Sequence, residues 1–377
     1  MSEWSTVTHP SPLQDRILAL IQRLAQGARD DAARDALLLE LAQHQYLHVA
    51  PYQRFARQRL LSARRGREPS APSSLDEVPA LPTDAFRYAR ISSRLETEDL
   101  RTFRSSGTTQ AERSEHVLQD LTLYDAAAEA AARYALFPDR ERMALIILAP
   151  HERELSDSSL SYMLARFVEW FGNDGSTHVW PLDELELARL SARLHAAARA
   201  NMPVALLGTS FAFVHALDAL GEARFVLPDG SRIMQTGGFK GRSREVAPAD
   251  MRRLLERTFG VPEARIVAEY GMTELSSQLY ETTLRESLLG EPERARCLWA
   301  PGWLRTSIVH PETLAPLPPG ERGLVRIDDL ANLDSVAFIQ TSDFGSSDGS
   351  RISLHGRAPE AVARGCSITA DELLSRS

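Results

Sequence analysis

Residues 11–65 place their hydrophobic side chains at the three- and four-residue spacing of amphipathic helices. The apolar pattern is interrupted near Pro51, because a proline inside a helix removes a hydrogen bond and clashes with the preceding turn. The pattern therefore predicts a helical N-terminal layer. The apolar face of its first helix consists of Ile17, Leu20, Ile21 and Leu24.

After a connector rich in proline and serine, residues 63–84, helix and strand patterns alternate along the chain. Short aliphatic runs such as MALIILA and PVALLG have the length of buried strands, whereas LTLYDAAAEAAARYALF and PADMRRLLERTFG are typical of helices. The segment beyond residue 323 has β character, with a turn at Asp348–Gly349. This order predicts an α/β sheet core followed by a smaller β-rich section.

The composition is that of an ordinary globular chain. Of the 377 residues, 43% are hydrophobic and 25% are charged, and the formal net charge of −8 argues against general nucleic-acid binding, which favours basic surfaces. The longest aliphatic run, ALIILA, is too short to cross a bilayer, no secretory signal opens the sequence, and two cysteines do not make a disulfide framework. We therefore expect a cytoplasmic protein without a membrane span or a nucleic-acid partner.

A single lysine, Lys240, stands among the 43 lysine and arginine residues. Biased nucleotide composition explains the excess of arginine, but it does not determine where the remaining lysine falls. Since the lysine ammonium is a compact and tunable charge, it is not equivalent to the arginine guanidinium, and Lys240 is a candidate functional residue on composition alone. The ten histidines show no metal-binding spacing such as HExxH, and none is assigned to chemistry.

The segment FRSSGTTQAERSEH contains five consecutive small residues. They fit either a solvated turn or a phosphate-binding loop, in which small side chains let backbone N–H groups and hydroxyls surround an anion. The segment does not match the GxxxxGK[ST] loop, so its own sequence leaves both interpretations open. The residues that follow read as the basic opening of a helix. The small residues are Ser105, Ser106, Gly107, Thr108 and Thr109.

Four further stretches carry residues suited to ligand binding, and each also has a structural explanation. MQTGGFKGR places a glycine pair after a strand, where the backbone can approach a flat ligand or simply turn. AEYGMTELSSQ ends a strand with Thr273 and Glu274 at the edge where α/β sheets bind ligands, although Glu274 could also be a helix N-terminal acid. TSDFG presents Asp343 in a turn, as a ligand or an Asx-turn residue. GRAPEAVARGCSITADEL contains Arg357, either a hinge residue or a surface charge.

In this order, the motifs resemble those of the adenylate-forming superfamily, which includes acyl-CoA synthetases, peptide-synthetase adenylation domains and firefly luciferase. SSGTT resembles its phosphate loop, YGMTE its Tyr-Gly-x-Thr-Glu motif, TSDFG its Thr-Gly-Asp-Leu-Gly motif, and GR its hinge. Within the superfamily, PALPTDAFR, GGFKGR, EYGMTELSSQ and RGCS resemble the acyl-protein synthetase family of bacterial bioluminescence operons, over nearly the whole chain.

The resemblance implies an α/β fold with a large N-terminal adenylate-forming domain, a helical N-terminal layer and a truncated C-terminal domain. We expect the helical layer at residues 1–75, the adenylating body at 76–355, and a hinge with a short C-terminal remnant at 356–377. Only 20 residues follow Arg357, so we expect this chain to lack the small domain that normally carries the adenylation lysine in the resembled superfamily. We infer that Lys240 supplies this charge from the main domain, unless it forms a salt bridge to a nearby carboxylate.

The resemblance also implies that ATP and Mg²⁺ are bound. The loop Ser105–Thr109, with Arg113 and Ser114, would hold the β- and γ-phosphates. Glu274 would hold Mg²⁺, which favours one or two carboxylates together with phosphate oxygens. The superfamily loop usually continues Thr-Thr-Gly, so Gln110 is a departure that could alter the geometry of the loop.

Further roles follow from the same resemblance. Thr273 would contact the α-phosphate, and Asp343 would accept hydrogen bonds from the ribose hydroxyls. Arg357 would mark the hinge. The adenine and acyl site would be lined by Gly237, Gly238, Tyr270, Gly271 and Met272.

Cys366 follows Arg364 and precedes TADE, a capping-box pattern that opens a terminal helix. A nearby cation and a helix N-terminus lower the pKa of a thiol, which suits an acyl acceptor, whereas a free cysteine is more often a small buried residue. The resembled family carries acyl groups on a C-terminal cysteine, which favours the acceptor role. Cys297, in ARCLWAPGW, has no such setting and is expected to be structural.

These observations predict an ATP-dependent acid–thiol ligase. It would activate a fatty or similar carboxylic acid as an acyl-adenylate and pass the acyl group to a protein thiol, either Cys366 or that of a partner. One alternative is a ligase that transfers the acyl group to coenzyme A, a carrier-protein thiol or an amine. Another is a non-catalytic nucleotide-binding subunit of an acid-reductase complex. The possible protein partners are an acyl acceptor and a reductase.

Overall fold

The computed structural model of the protein describes residues 11–63, 70–106, 113–237, 245–292 and 294–357. Three helices open this part of the chain, as the hydrophobic pattern predicts: α1 (Pro12–Leu24), α2 (Asp31–His48) and α3 (Ala50–Ala63). Ser11 caps α1, because its side chain accepts a hydrogen bond from the Gln14 N–H at 3.2 Å. The four residues of the predicted apolar face are all at most 3% exposed.

Beyond these helices, the described residues alternate between helices and strands. The helices are α4 (Ala85–Tyr88), α5 (Thr122–Ala135), α6 (Ser159–Phe171), α7 (Glu184–Ala200), α8 (Ser210–Leu220), α9 (Pro248–Phe259) and α10 (Thr283–Leu289). The strands are β1 (Leu81–Pro82), β2 (Arg101–Arg104), β3 (Glu115–Leu118), β4 (Ala144–Leu148), β5 (Thr177–His178), β6 (Val204–Thr209), β7 (Arg232–Thr236), β8 (Ile266–Tyr270), β9 (Leu279–Glu281), β10 (Leu298–Trp299), β11 (Leu304–Val309), β12 (Gly323–Asp329), β13 (Phe338–Ser347) and β14 (Arg351–Arg357). Within the described ranges, no helix has the length and apolar character needed to span a membrane.

Twelve of these strands hydrogen-bond into one sheet. β5, β4, β6, β7 and β8 are parallel neighbours, and β9, β10, β14, β13, β12 and β11 continue the sheet as antiparallel neighbours. β1 adds to β13 in parallel, while β2 and β3 form a separate antiparallel pair. The β-rich section therefore does not form a sheet of its own, because the β8–β9 pair joins it to the parallel half.

Two local predictions are wrong. The residues after the small-residue loop form β3 instead of the opening of a helix, because they pair antiparallel with β2. Asp343 lies inside β13 and not in a turn, because the ladder with β14 extends from Ser347 back to Asp343, which stands opposite Arg357. The turn that joins these two strands is at Asp348–Gly349, as predicted, and Gly349 has a φ of +107° there.

Hydrophobic clusters pack on both faces of the parallel half of the sheet. Along β4, Leu145 and Ile147 belong to the cluster shared with α1, α2, α5 and α6, whereas Ile146 and Leu148 belong to the cluster formed with α7, α8 and α9. All five residues of β4 are buried. Its uninterrupted apolar run is therefore that of a strand covered by helices on both faces.

A buried glutamine attaches α2 to the loop that follows β12. Gln45 is fully buried, and its Nε2 donates to the carbonyl oxygens of Asn332 at 2.7 Å and Leu333 at 3.0 Å. Its Oε1 accepts from the N–H of Ala337 at 3.0 Å. One side chain thus satisfies three backbone groups of the loop, and such groups are costly to bury unpaired. This contact holds the helical layer against a loop that reaches the site described below.

We predict that Gln45→Leu lowers the free energy of unfolding by about 3 kcal/mol, because it removes both donors and the acceptor and leaves three buried backbone groups unpaired. Urea unfolding followed by circular dichroism measures the change. Gln43→Leu is the matched control, because Gln43 is exposed and donates to a single carbonyl, that of Pro72. We expect the control to change stability by less than about 0.5 kcal/mol. Equal losses in the two variants would contradict this role for Gln45.

Candidate active site

The small-residue loop begins and ends at a two-stranded hairpin. Ser105 and Ser114 extend the β2–β3 ladder by one pair: the Ser105 N–H donates to the Ser114 carbonyl at 3.0 Å, and the Ser114 N–H donates to Ser105 Oγ at 2.9 Å. Ser114 is buried, whereas Ser106 is exposed. The two ends of the loop therefore lie side by side in a fixed register. The remaining loop residues, Gly107, Thr108, Thr109 and Gln110, lie outside the described residues.

Arg113 lies at the base of the same loop. Its Nε donates to the Ser105 carbonyl at 2.5 Å, and its Nη1 forms an ion pair with Asp157 Oδ2 at 2.9 Å. The guanidinium therefore ties the loop base to the segment before α6. A bound phosphate would have to share this guanidinium with Asp157, so the phosphate-binding role of Arg113 stays a prediction.

Two of the predicted nucleotide-binding residues are in direct contact. The Tyr270 hydroxyl, at the end of β8, donates to Asp343 Oδ2 at 2.7 Å across 73 positions of sequence. Burial, with the charge of Asp343 beside it, raises the pKa of Tyr270 well above its ordinary value, so the phenol is neutral at pH 7. Because Arg357 stands opposite Asp343 in the β13–β14 ladder, the structure brings Tyr270, Asp343 and Arg357 to one place.

Gly237 directly follows β7, which ends at Thr236, and has a left-handed conformation with a φ of +67°. Its carbonyl accepts a hydrogen bond from Ser210 Oγ at 3.0 Å, and no described atom lies within 4 Å of the position that a Cβ would take. The backbone here can therefore approach a ligand closely, as the glycine pair predicts. Gly238 and Lys240 lie outside the described residues.

Thr273 and Glu274 lie in the turn between β8 and β9, and their backbone is held from two sides. The Thr273 carbonyl accepts from Nδ1 of His116 in β3 at 2.8 Å, and the Glu274 carbonyl accepts from Asn332 Nδ2 at 2.8 Å. Because a carbonyl only accepts, the His116 ring carries its proton on Nδ1. Burial lowers the pKa of His116 to about 4, which keeps the ring neutral at pH 7.

A buried carboxyl group fixes the residues that follow this turn. Asp329 accepts hydrogen bonds from the Ser276 N–H at 3.0 Å, the Ser277 hydroxyl at 2.7 Å and the Ala331 N–H at 3.0 Å. Burial raises the pKa of Asp329, while these donors act in the opposite direction. No helix follows Glu274 before β9, so the helix N-terminal role considered for this residue is wrong.

The sequence patterns do not single out His116, Asp329 or Asn332. His116 lies between Glu115 and the apolar end of β3, Asp329 is the last residue of β12, and Asn332 lies in the loop that follows β12. Polar residues next to apolar runs are the only signal, and many residues in the chain share it. Their partners are distant in sequence, so the contacts could not be predicted from spacing.

Glu269 is a second buried carboxyl group at this edge of the sheet, next to Tyr270. Thr236 at the end of β7 donates to it through its hydroxyl, and Tyr280 of β9 stands opposite it in the ladder. Burial raises the pKa of Glu269 to about 7. Since side chains alternate along a strand, Glu269 and Tyr270 point to opposite faces of the sheet.

The donor set fits a magnesium ion that also binds phosphate. Glu274 would supply a carboxylate; the residue is only 7% exposed, and it follows Thr273, whose carbonyl bonds His116 of the β2–β3 hairpin. Within the described ranges, no group of three or more histidine, cysteine, aspartate or glutamate side chains could hold a metal ion. Mg²⁺ bound to nucleotide phosphates needs only one or two protein carboxylates and does not require such a group.

The overall arrangement is that of adenylate-forming ligases. A structure of 2-hydroxyisobutyryl-CoA ligase in the postadenylation state, in complex with 2-HIB-AMP, superimposes with a TM-score of 0.61 and 15% identity, over 87% of this chain and 67% of that chain. The same enzyme in the thioesterification state, with 2-HIB-AMP and CoA, gives a TM-score of 0.58 and 16% identity, over 93% and 69% of the two chains. At such identities the likeness shows the fold alone.

The sequence comparison assigns the chain to a family, which is a narrower class than the fold. The sequence profile of the family described as "Acyl-protein synthetase, LuxE" matches residues 8–375, and the chain belongs to this family. A relative, the long-chain-fatty-acid–luciferin-component ligase of Aliivibrio fischeri, is 22% identical over 280 residues, which are 72% of this chain and 70% of that protein.

These findings confirm the predicted α/β fold class, which is the fold of adenylate-forming ligases, and the acyl-protein synthetase family, and with it the ligase class. The domain boundaries and the roles of individual site residues stay predictions. Cys366 lies outside the described residues. Cys297 is half-buried and accepts a hydrogen bond from Arg351 at 3.6 Å.

We predict that Glu269 contributes stability that is lost as the pH rises from about 4.5 to about 7, because its ordinary pKa is 4.5 and its pKa in the folded protein is about 7. Over this range the unfolded chain releases this proton while the folded chain keeps it, so the contribution of Glu269 to the free energy of unfolding falls by about 3 kcal/mol. Because the lowered pKa of His116 acts in the opposite direction, the effect is read as the difference between the wild type and Glu269→Gln. Glu269→Gln is neutral and similar in shape, so it should remove this part of the pH dependence and be more stable than the wild type at pH 8.

Urea unfolding at intervals between pH 4 and pH 8 measures this effect. Glu141→Gln is the control, because Glu141 is exposed and its replacement removes no buried carboxyl group. It should follow the wild-type profile. If Glu269→Gln also followed the wild-type profile, Glu269 would not be held protonated by the fold.

Proposed function

We propose that this protein activates a fatty or similar carboxylic acid with ATP and then transfers the acyl group to a protein thiol. In the first step a carboxylate oxygen attacks the α-phosphorus, pyrophosphate leaves, and an acyl-adenylate forms. In the second step a thiolate attacks the acyl carbon, AMP leaves, and a thioester forms. Membership of the acyl-protein synthetase family supports this proposal.

The observation that carries the proposal is the meeting of four motifs at the carboxyl ends of β7 and β8. Gly237, the Tyr270–Asp343 contact and the Thr273–Glu274 turn lie at this edge, where α/β sheets bind ligands. The base of the small-residue hairpin reaches the same turn through His116. Nucleotide binding requires that groups for the base, the ribose and the phosphates lie together.

The described residues suit the nucleotide roles expected from the motifs. Asp343 has two carboxylate oxygens, one of which accepts from Tyr270, and the other would accept from a ribose hydroxyl. Thr273 would contact the α-phosphate, and Glu274 would hold Mg²⁺. When bound, Mg²⁺ would neutralise negative charge that develops on the phosphates. Lys240, the only lysine, would supply a compact positive charge near the reacting carboxylate.

The proposed substrate is a fatty acid, and the proposed acyl acceptor is a protein thiol. The A. fischeri relative is named for a long-chain fatty acid, which supports a fatty acid as the substrate here. The acceptor would be Cys366 or a thiol of a partner protein, such as an acyl acceptor or a reductase. Transfer to coenzyme A, a carrier-protein thiol or an amine is the alternative. A non-catalytic nucleotide-binding subunit of an acid-reductase complex is a further alternative.

We predict that Glu274→Gln lowers acid-dependent ATP–pyrophosphate exchange at least a hundredfold, because Mg²⁺ loses its protein carboxylate. Exchange across a panel of saturated acids, with circular dichroism to verify the fold, measures the effect. Glu274→Asp is the matched variant: it keeps a carboxylate at a shorter reach and should retain more activity, with a higher Mg²⁺ requirement. Exchange by Glu274→Gln within a few-fold of wild type would remove Glu274 from the metal site.

A separate prediction concerns the acceptor. Cys366→Ala should keep pyrophosphate exchange but lose a hydroxylamine-sensitive acyl label on the protein, because adenylation precedes thiol attack. Cys297→Ala is the matched control and should label as the wild type does. If the wild-type protein exchanges pyrophosphate but acquires no covalent label, transfer to coenzyme A, a carrier thiol or an amine becomes the better account.

A further inference from the structure

We propose that His116 is a positioning residue that sets the phosphate-loop hairpin against the Thr273–Glu274 turn through its Nδ1–H. The inference rests on the proposed function, since it assigns a partner to residues that are expected to bind phosphate and metal. His116 lies in β3, two residues after Ser114, and its ring bonds the Thr273 carbonyl at 2.8 Å. The contact spans 157 positions of sequence.

The β2–β3 hairpin holds His116 in a fixed register relative to the base of the loop. Phe103 of β2 stands opposite His116 in the ladder, and the Ser105–Ser114 pair closes the hairpin two steps nearer the loop. Because side chains alternate along a strand, Ser114 and His116 point to the same face. The hydrogen bond from His116 to Thr273 therefore leaves the hairpin on the same face as the Ser114 side chain at the base of the loop.

The turn is fixed on its other side by a different element. The Glu274 carbonyl accepts from Asn332, whose side chain also donates to the Val336 carbonyl at 3.2 Å. Two successive carbonyls are thus held by side chains from the hairpin and from the loop after β12. Catalytic groups misplaced by about 1 Å can lose a hundredfold in rate, so a pair of hydrogen bonds to the backbone is an effective way to place Thr273 and Glu274.

Packing alone does not account for a histidine at this position. His116 is 0% exposed, it packs edge-on against Phe86, and its Nε2 has no hydrogen-bond partner among the described residues. A buried polar atom without a partner is costly, and an apolar ring would fill the space without that cost. The hydrogen bond to Thr273 is the contact that a histidine adds and a phenylalanine would lack.

Three substitutions of His116 distinguish the roles of Nδ1, of Nε2 and of the packing of the ring. His116→Asn keeps an amide N–H close to the position of Nδ1, His116→Gln places one close to the position of Nε2, and His116→Phe keeps the packing alone. The readouts are kcat and the KM values for ATP and for the acid in acid-dependent pyrophosphate exchange, with kcat normalised to the folded fraction from urea unfolding. We expect kcat to fall at least tenfold in the Gln and Phe variants and less than threefold in the Asn variant, with KM for the acid unchanged in all three.

Hydrogen–deuterium exchange of the backbone amides at residues 273–277 is a second readout that does not depend on activity. Protection should be lost in the Gln and Phe variants and retained in the Asn variant. If the wild type showed no exchange of pyrophosphate with any acid, the proposed function would fail, and this readout would still decide the role of His116. Wild-type kcat and protection in His116→Phe would overturn the inference, and so would better rescue by Gln than by Asn, because Nε2 would then be the working atom.

Discussion

The antiparallel pairing of β9 with β8 is the contact on which the arrangement of the site depends. Glu269 stands opposite Tyr280 and Tyr270 opposite Leu279, so the chain reverses direction over residues 271–278. Without this reversal the parallel and antiparallel halves would be separate sheets. With it, the Thr273–Glu274 turn stands at the carboxyl end of the parallel half and also at the start of the antiparallel half.

The pairing of β8 with β9 also bears on the hydrogen bond between Tyr270 and Asp343. Four steps along the sheet separate β8 from β13, and in a flat sheet the two strands would be about 19 Å apart. The observed hydrogen bond of 2.7 Å therefore requires the sheet to curve back on itself. Two of the three strands between them are short, since β9 has three residues and β10 has two, whereas β14 has seven. The curvature brings Asp343 of the TSDFG motif next to Tyr270 at the end of β8.

Buried hydrogen bonds connect the Thr273–Glu274 turn to other elements of the molecule. Asn332 bonds the Glu274 carbonyl through its side chain, and its own carbonyl accepts from Gln45 of α2. His116 makes the corresponding contact from the β2–β3 hairpin. The N-terminal helices are therefore linked to the turn by two consecutive side-chain hydrogen bonds. In a buried setting each of these bonds has few alternatives, so the groups they join have one preferred arrangement.

The sequence predicts the local elements well and the distant contacts poorly. The helical periodicity of α1 and the apolar run of β4 are properties of short windows, and both predictions are confirmed. β3 was expected to open a helix, because its pairing with β2 depends on residues outside any short window. Tyr270 and Asp343 belong to two motifs that both resemble those of the adenylate-forming superfamily. Their hydrogen bond depends on the curvature of the sheet, which the sequence does not predict. His116 carries no motif, and its role depends on a backbone carbonyl that could belong to any residue.

The charges of the described residues bear on why one lysine stands in an arginine-rich chain. His116 and Tyr270 are neutral at pH 7, Arg113 is paired with Asp157, and Asp343 and Glu274 contribute carboxylates. A triphosphate and a reacting carboxylate need positive charge in addition to backbone N–H groups, and Arg357 stands opposite Asp343 in the ladder. Under the proposed function a metal ion meets part of this need at Glu274. The remainder falls close to the reacting carboxylate, where a guanidinium would bind both oxygens in its planar fork and hold the nucleophile back. An ammonium neutralises the same charge as a point and leaves one oxygen available for attack, which gives a physical reason for a lysine at position 240.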